Sequence, residues 1–243
     1  MGNRVIAIQR DKRYCPNGPQ ADTAILKAVT SRLHDEVITV EEGQLPSGFH
    51  DADVILSMGR MPETLAVLKA CQAKGLRVIN RPEAVERCTR GIIHRVMLDC
   101  GVSIPEEEGA AGYWLKRGDA DAHQQGDVVF CENKQQLEEA KAQFLRQGII
   151  QWVVSPHVEG TNVKFYAVVR HFFRCFPDGI LNNQKRKELH KAAMKVAETI
   201  GIDIYGGDCI VDKNGDFFLI DFNDWPSFAP CRDEAAEAIA KLI

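Results

Sequence analysis

Near its carboxyl end the chain reads "YGGDCIVDKNGDFFLIDFNDWPSF", residues 205–228. Two apolar runs flank Asn214-Gly215, a dipeptide that favours tight hairpin turns because both residues tolerate positive φ. The stretch therefore demands an antiparallel pair of strands. It places Asp208 on the first strand, and Asp221 and Asn223 on the second. Asp221 and Asn223 are two apart, so they share a face, and closing the hairpin can bring Asp208 to the same patch. Carboxylates set among Val, Ile, Leu and Phe repel one another and resist desolvation. Spacing alone leaves two arrangements open. The acids sit at a strand edge and bond turn amides, or they gather around a divalent cation. Two carboxylates with open positions beside them suit Mg²⁺, which takes hard oxygen ligands and substrate phosphates. The "DKNGD" turn matches a calcium loop poorly, because its glycine is misplaced and no glutamate closes it.

Upstream, the periodicity divides the chain in two. "RVIAI", "VITV", "DVILSM" and "RVIN" read as short buried strands separated by helical patterns, the first with Ile25, Ala28, Val29 and Leu33 on one face and Asp22 as its expected N-cap. Strands alternating with helices predict a parallel sheet with right-handed crossovers, and this α/β domain is placed at residues 1–82. A helix over 91–100 follows, stopped by Gly101 and Pro105. From there "GYWLKR", "DVVFC", "IIQWVVS" and "NVKFYAVVRHFF" read as strands, with helices near 133–148 and 184–200. Antiparallel strands with helices to one side predict an α+β domain over 83–243.

Composition removes several function classes. The chain has 243 residues, net charge −4 and no Lys/Arg block, which argues against bulk nucleic-acid binding. Runs such as "GIIQWVV" are far shorter than a membrane span. The first residues lack the apolar stretch of a secretory signal, and Ile6 stands where a myristoylation motif needs Ser or Thr. Eight cysteines without a CxxC pair read as reduced core residues of a cytoplasmic protein.

Several blocks, taken in order, resemble the ATP-grasp superfamily, in particular its ribosomal-protein glutamate ligase and inositol trisphosphate kinase-like branch. That family's metal motif is an Asp on one strand, then Asp/Glu-x-Asn on the next. Asp208, Asp221 and Asn223 match it, with Pro226 after them. "INRPEAVERCTRGIIHRVMLDCGVSIP" resembles the family's entry segment, "WLKR" its phosphate-lysine strand, and "IIQWVVSPHVEGTNVKFYAVV" its adenine hinge and following strand. The resemblance spans about residues 78–235. It implies an ATP-grasp domain of two subdomains, 106–155 and 156–243, behind the α/β domain. It implies Arg90 and Lys116 on the nucleotide phosphates, with Arg90 replacing the usual lysine. It implies Gln151, Trp152, Val153 and Val154 at the adenine, Glu159 and Asn162 near the ribose, and Asp208, Asp221 and Asn223 on magnesium. Lys164, Arg174 and His157 are then the catalytic candidates facing the substrate or the transferring phosphoryl group. The loop "RGDADAHQQGD" departs from the family's glycine-rich lid and carries Asp119 and Asp121. The implied activity is an ATP- and Mg-dependent carboxylate–amine ligase acting through an acyl phosphate on a small molecule or peptide. A small-molecule kinase, or a nucleotide-binding protein without turnover, is the alternative. A site completed by a second copy of the chain stays open.

Overall fold

Four aliphatic runs make the first sheet. In the computed structural model, which describes residues 3–15, 18–45, 51–105, 111–119 and 126–243, β1 (Arg4–Gln9), β2 (Glu36–Glu41), β3 (Val54–Ser57) and β4 (Arg77–Ile79) are all parallel. Their order is β2-β1-β3-β4. The two central strands are buried apart from the end residues of β1, as expected for a sheet covered on both faces. α1 (Pro19–Thr30) packs Ile25, Leu26 and Val29 on one face, and α2 (Pro62–Ala73) packs Leu68 and Cys71 on the other. Asp22 is not the N-cap of α1. Proline at the first helical position starts the helix at Pro19 behind Gly18, so Asp22 falls inside the first turn, buried. Strand order reverses between β1 and β3. At such a switch point the loops after the strands' carboxyl ends diverge and leave a crevice, and Arg10 and Arg60 stand in those two loops.

The rest of the chain makes two antiparallel sheets. α3 (Pro82–Glu86) and α4 (Arg90–Asp99) lead into a small sheet. It consists of β5 (Tyr113–Arg117), β6 (Val128–Cys131) and β7 (Trp152–Pro156) in the order β6-β5-β7. α5 (Lys134–Arg146) covers it with Leu137 and Phe144. The larger sheet has the order β11-β10-β8-β9 and contains β8 (Thr161–Val168), β9 (Phe172–Phe176), β10 (Ile204–Val211) and β11 (Phe217–Asp224). One of its faces buries Val163, Phe165, Cys209 and Leu219 against α4 and α6 (Asn183–Ile200), which ends at Gly201 with φ 86°. The run expected as one strand from Asn162 to Phe173 is two. It folds back at Arg170, which adopts φ 63° without the glycine that usually signals such a turn.

α7 (Arg232–Ala240) closes the chain against α1. One continuous cluster joins Ala7, Leu26 and Leu56 of the parallel sheet and α1 to Tyr166, Ile204, Trp225 and Ile239. Among the described residues, no helix is long and apolar enough to cross a membrane.

Candidate active site

The hairpin contains an irregularity that decides its chemistry. Pairing out from the turn runs Val211 to Phe217, Ile210 to Phe218 and Cys209 to Leu219. Continued evenly, it would set Asp208 opposite Ile220 and turn Asp221 to the other face. A β-bulge between Asp208 and Cys209 instead pairs Asp208 with Asp221, leaving Ile220 as the extra residue. A one-residue slip moves side chains to the opposite face, so the bulge is what brings the two carboxylates together. On the other side of β10, Asp208 pairs with Lys164 of β8. A row Lys164–Asp208–Asp221 therefore crosses three strands. The next row is Tyr166–Gly206–Asn223.

Two glycines permit this closeness. A Cβ on Gly207 would lie 2.2 Å from the Asp221 carbonyl oxygen and 2.6 Å from the Phe165 ring, and one on Gly206 would lie 2.7 Å from Pro226. Lys164 Nζ donates to Asp208 Oδ1 at 2.8 Å and to Oδ2 at 3.2 Å. Burial raises the Asp208 carboxyl above its ordinary value, with Asp221 adding to the shift and Lys164 opposing it. Burial acts against the charged form of Lys164 too, but the hydrogen bond and charge of Asp208 outweigh it and its amine is raised. Lys164 is thus held as a cation, and Asp208 bears the desolvation cost of the pair.

Lys116 reaches this row from β5. Its Nζ donates at 3.2 Å to the carbonyl oxygen of Ile220, the residue made extra by the bulge. Desolvation lowers its amine, and Asp221 counters this in part. Arg90, the first residue of α4, donates through Nη1 to the Arg117 carbonyl at 3.0 Å, and its buried Nε has no hydrogen-bond partner among the described residues. Arg90 and Lys116 meet near Asp221. Lys116 also borders an apolar slot of about 260 Å³ between the two antiparallel sheets, lined by Trp114, Val128, His157, Val158, Ile210 and Ile220. On the other side of the carboxylates a cavity of about 410 Å³ opens toward the crevice of the parallel sheet, where Arg10, Tyr14, Cys15 and Arg60 form the far wall. Slot, cations, carboxylates and cavity thus adjoin in that order.

Several expected residues fall elsewhere. Gln151 and Trp152 do not line the slot. They lie at the far end of the β5–β7 ladder, where Trp152 pairs with Arg117 and the Gln151 carbonyl accepts from Gly118 N at 2.9 Å. Val153 packs near Arg90 and Lys116, and Val154 packs on the small sheet's core. The slot is bordered by the next four residues, 155–158. Asn162 lines it, whereas Glu159 is exposed and outside its lining. His157 belongs to the slot and not to the carboxylate row. Its Nδ1 accepts from Trp114 Nε1 at 3.1 Å. Arg174 lies on the edge strand β9 and turns to Glu234 of α7, with Nε at 2.9 Å. Asp119 pairs with Arg117 at 2.7 Å, so its charge is compensated by its own strand. Asp121 lies outside the described residues.

Arg10, Asp22, Arg60 and Asp224 were missed by sequence reasoning. Arg10 forks onto Asp22 at 2.7 and 3.2 Å, and Arg60 Nη2 donates to Asp224 Oδ1. One signal was available: both arginines closely follow buried strands of a predicted parallel sheet, where open α/β sheets bind ligands.

The residues fit a magnesium ion. Asp208, Asp221 and Asn223 offer two carboxylates and an amide oxygen, hard donors of the kind Mg²⁺ selects, and a cation would relieve the repulsion and burial cost at Asp208. Among the described residues no group of three His, Cys, Asp or Glu side chains is placed to bind a metal.

No family model matches the chain, and no curated protein matches it in sequence. Solved structures do. D-alanine–D-alanine ligase from Bacillus anthracis, complexed with ATP, aligns with a TM-score of 0.70 at 12% identity, over 99% of this chain and 97% of its own. D-cycloserine synthetase aligns at 0.69 and 12%, over 98% and 99%. An ATP-grasp RimK domain protein from Sphaerobacter thermophilus aligns at 0.67 and 15%, over 98% and 99%. The fold is that of the ATP-grasp proteins.

Proposed function

We propose that this chain, which has the ATP-grasp fold, uses ATP and magnesium to join a carboxylic acid to an amine. The observation that carries the proposal is the row Lys164–Asp208–Asp221, with Asn223 beside it, lying between an apolar slot and a polar cavity. The slot suits a purine, with the backbone of residues 155–158 along its edge. Lys116 and Arg90 stand where a polyphosphate leaving the slot would pass. Asp208, Asp221 and Asn223 would hold magnesium, which supplies charge neutralisation at the transferring phosphoryl group. Phosphoryl transfer needs position and charge more than covalent help.

Lys164 is the residue whose partner changes. Its ammonium neutralises Asp208. With a cation on that carboxylate, its ammonium is free to turn to the phosphoryl oxygens. The acid substrate would occupy the cavity against the parallel sheet. Its carboxylate oxygen bonds to the γ-phosphorus as the bond to ADP breaks. An amine nitrogen then bonds to the acyl carbon as inorganic phosphate leaves, and the amine gives up a proton. The acid is a small molecule or the end of a peptide, because the cavity also has to admit the terminal phosphate.

The test is incubation with ATP, Mg²⁺, a panel of small acids and hydroxylamine. The expected result is a hydroxamate formed with one ADP for each acid consumed, and no product from Asp221→Ala. A phosphorylated product stable to hydroxylamine would replace the ligase reading with the kinase one. ATP binding without turnover across a broad panel would favour a module that only binds nucleotide. Unchanged turnover in Asp221→Ala would remove the metal assignment.

A further inference from the structure

Asn223 lies close to where its sheet stops, since pairing with β10 runs on only through Asp224 and the Trp225 N–H, which donates to the Ile204 carbonyl at 3.3 Å. Asn223 is the next-to-last residue of β11, an edge strand. Its cross-strand neighbour is Gly206, which has no side chain to pack against it. Strand ends of this kind fray readily, yet a metal ligand has to stay in place.

The parallel sheet supplies what is missing. Asp224, next in the chain, is buried, and its carboxylate is held by Arg60, three residues beyond the end of β3. The Trp225 carbonyl accepts from Arg10 Nη2 at 2.5 Å, and Arg10 is itself fixed by Asp22. The Trp225 indole is 1% exposed and donates through Nε1 to the Ser57 carbonyl at 2.6 Å. Trp225 adopts φ 42°, in the left-handed region that a bulky residue keeps only when its surroundings enforce it. Three anchors from the ends of β1 and β3 thus grip the two residues after Asn223. Burying Arg60 and Asp224 together is a poor way to gain stability, since apolar replacements often do as well. Its use is to fix geometry.

We propose that Arg60 is a positioning residue for the metal site: through Asp224 it holds Asn223 in the ligand row, so the parallel sheet controls cation affinity without touching the cation. The inference rests on the metal reading above and adds to it a dependence on the parallel sheet.

The test reads Mn²⁺ binding by electron paramagnetic resonance, with a non-hydrolysable ATP analogue present. The variant Arg60→Met/Asp224→Asn removes both charges together, so neither is left buried and unpaired. Its Mn²⁺ affinity is expected to fall by about tenfold or more, the usual effect of losing a residue that orients a metal ligand. Its circular dichroism is expected to match the parent, and its metal-free nucleotide affinity to fall by much less than its Mn²⁺ affinity, since Arg60 and Asp224 border the cavity. Arg60→Lys keeps the charge but has a shorter reach than the guanidinium whose Nη2 holds Asp224 Oδ1, and is expected to lie between the two. Arg32→Ala breaks a different contact, the pair between Arg32, just past the end of α1, and Asp233 of α7, and is expected to bind Mn²⁺ as the parent does. Parent-like Mn²⁺ affinity in the folded double variant would overturn the inference. If the double variant does not fold, parent-like affinity in Arg60→Lys would do so. Asp221→Asn separates the two readings. Loss of Mn²⁺ binding there, without loss in the Arg60 variants, sinks the positioning role alone. Parent-like binding in Asp221→Asn sinks the metal site and the inference together.

Discussion

Asp208 shows the cost of the site at the scale of one side chain. Its carboxyl is raised above its ordinary 3.8, first by burial. A carboxyl that keeps its proton longer in the folded than in the unfolded chain stabilises the fold below its unfolded pKa. That stability is lost as pH rises through its folded pKa. At neutral pH Asp208 is therefore a burden, only partly relieved by Lys164. Asp208→Asn removes the burden and leaves Lys164, whose side chain is 57% exposed, to solvent. The variant should melt higher at neutral pH by about 2–4 °C, or about 1 kcal/mol, the size seen when a functional site is relieved of strain. The gain should shrink as the melts are repeated at falling pH, and Mn²⁺ binding should be lost. A variant that melts lower at neutral pH would mean the Lys164 pair is worth more than the desolvation it imposes.

At the scale of elements, the hairpin's value lies in its irregularity. The bulge aims Asp221 at Asp208 and makes Ile220 the extra residue whose carbonyl receives Lys116. Gly207 lets β10 and β11 approach closely enough for this. Gly207→Ala would drive a methyl group into the Asp221 carbonyl and the Phe165 ring. Neither the backbone nor the packed ring can yield cheaply, so a loss of about 1–3 kcal/mol is expected in urea unfolding. The displaced strand should also bind Mn²⁺ more weakly. The hairpin itself was legible from Asn214-Gly215 and the apolar runs. The bulge was not, because the run "FFLID" carries no glycine or proline to mark an extra residue. Nor was the fold-back at Arg170, for the same reason.

Across the whole molecule, the parallel sheet and the large antiparallel sheet share one apolar cluster, from Ala7 through Trp225 to Ile239. Calorimetry should therefore show these two sheets melting in a single transition. Resolved peaks that the isolated N-terminal 82 residues reproduce would mean the shared cluster contributes little. The two sheets also face each other across the cavity, so the cluster that joins them sets the distance between the cations of one and the carboxylates of the other.

The residue types and local order along the chain were enough to set out the parallel strands, the antiparallel runs and the hairpin, whereas the reading of Asp208, Asp221 and Asn223 as a metal set came from the family resemblance, since spacing alone left two arrangements open. The strands and the hairpin depend on side-chain period and turn preference, which are short-range. Tertiary structure decided which face each acid took, where the slot met the chain, and which residues grip the end of β11. The slot lies four residues past the expected hinge, because which end of a β ladder faces a neighbouring sheet is set by packing. Arg10 reaches Trp225 across 215 positions, and Arg60 reaches Asp224 across 164. Contacts that distant leave no periodicity behind, and only the closing of one sheet over another brings them together.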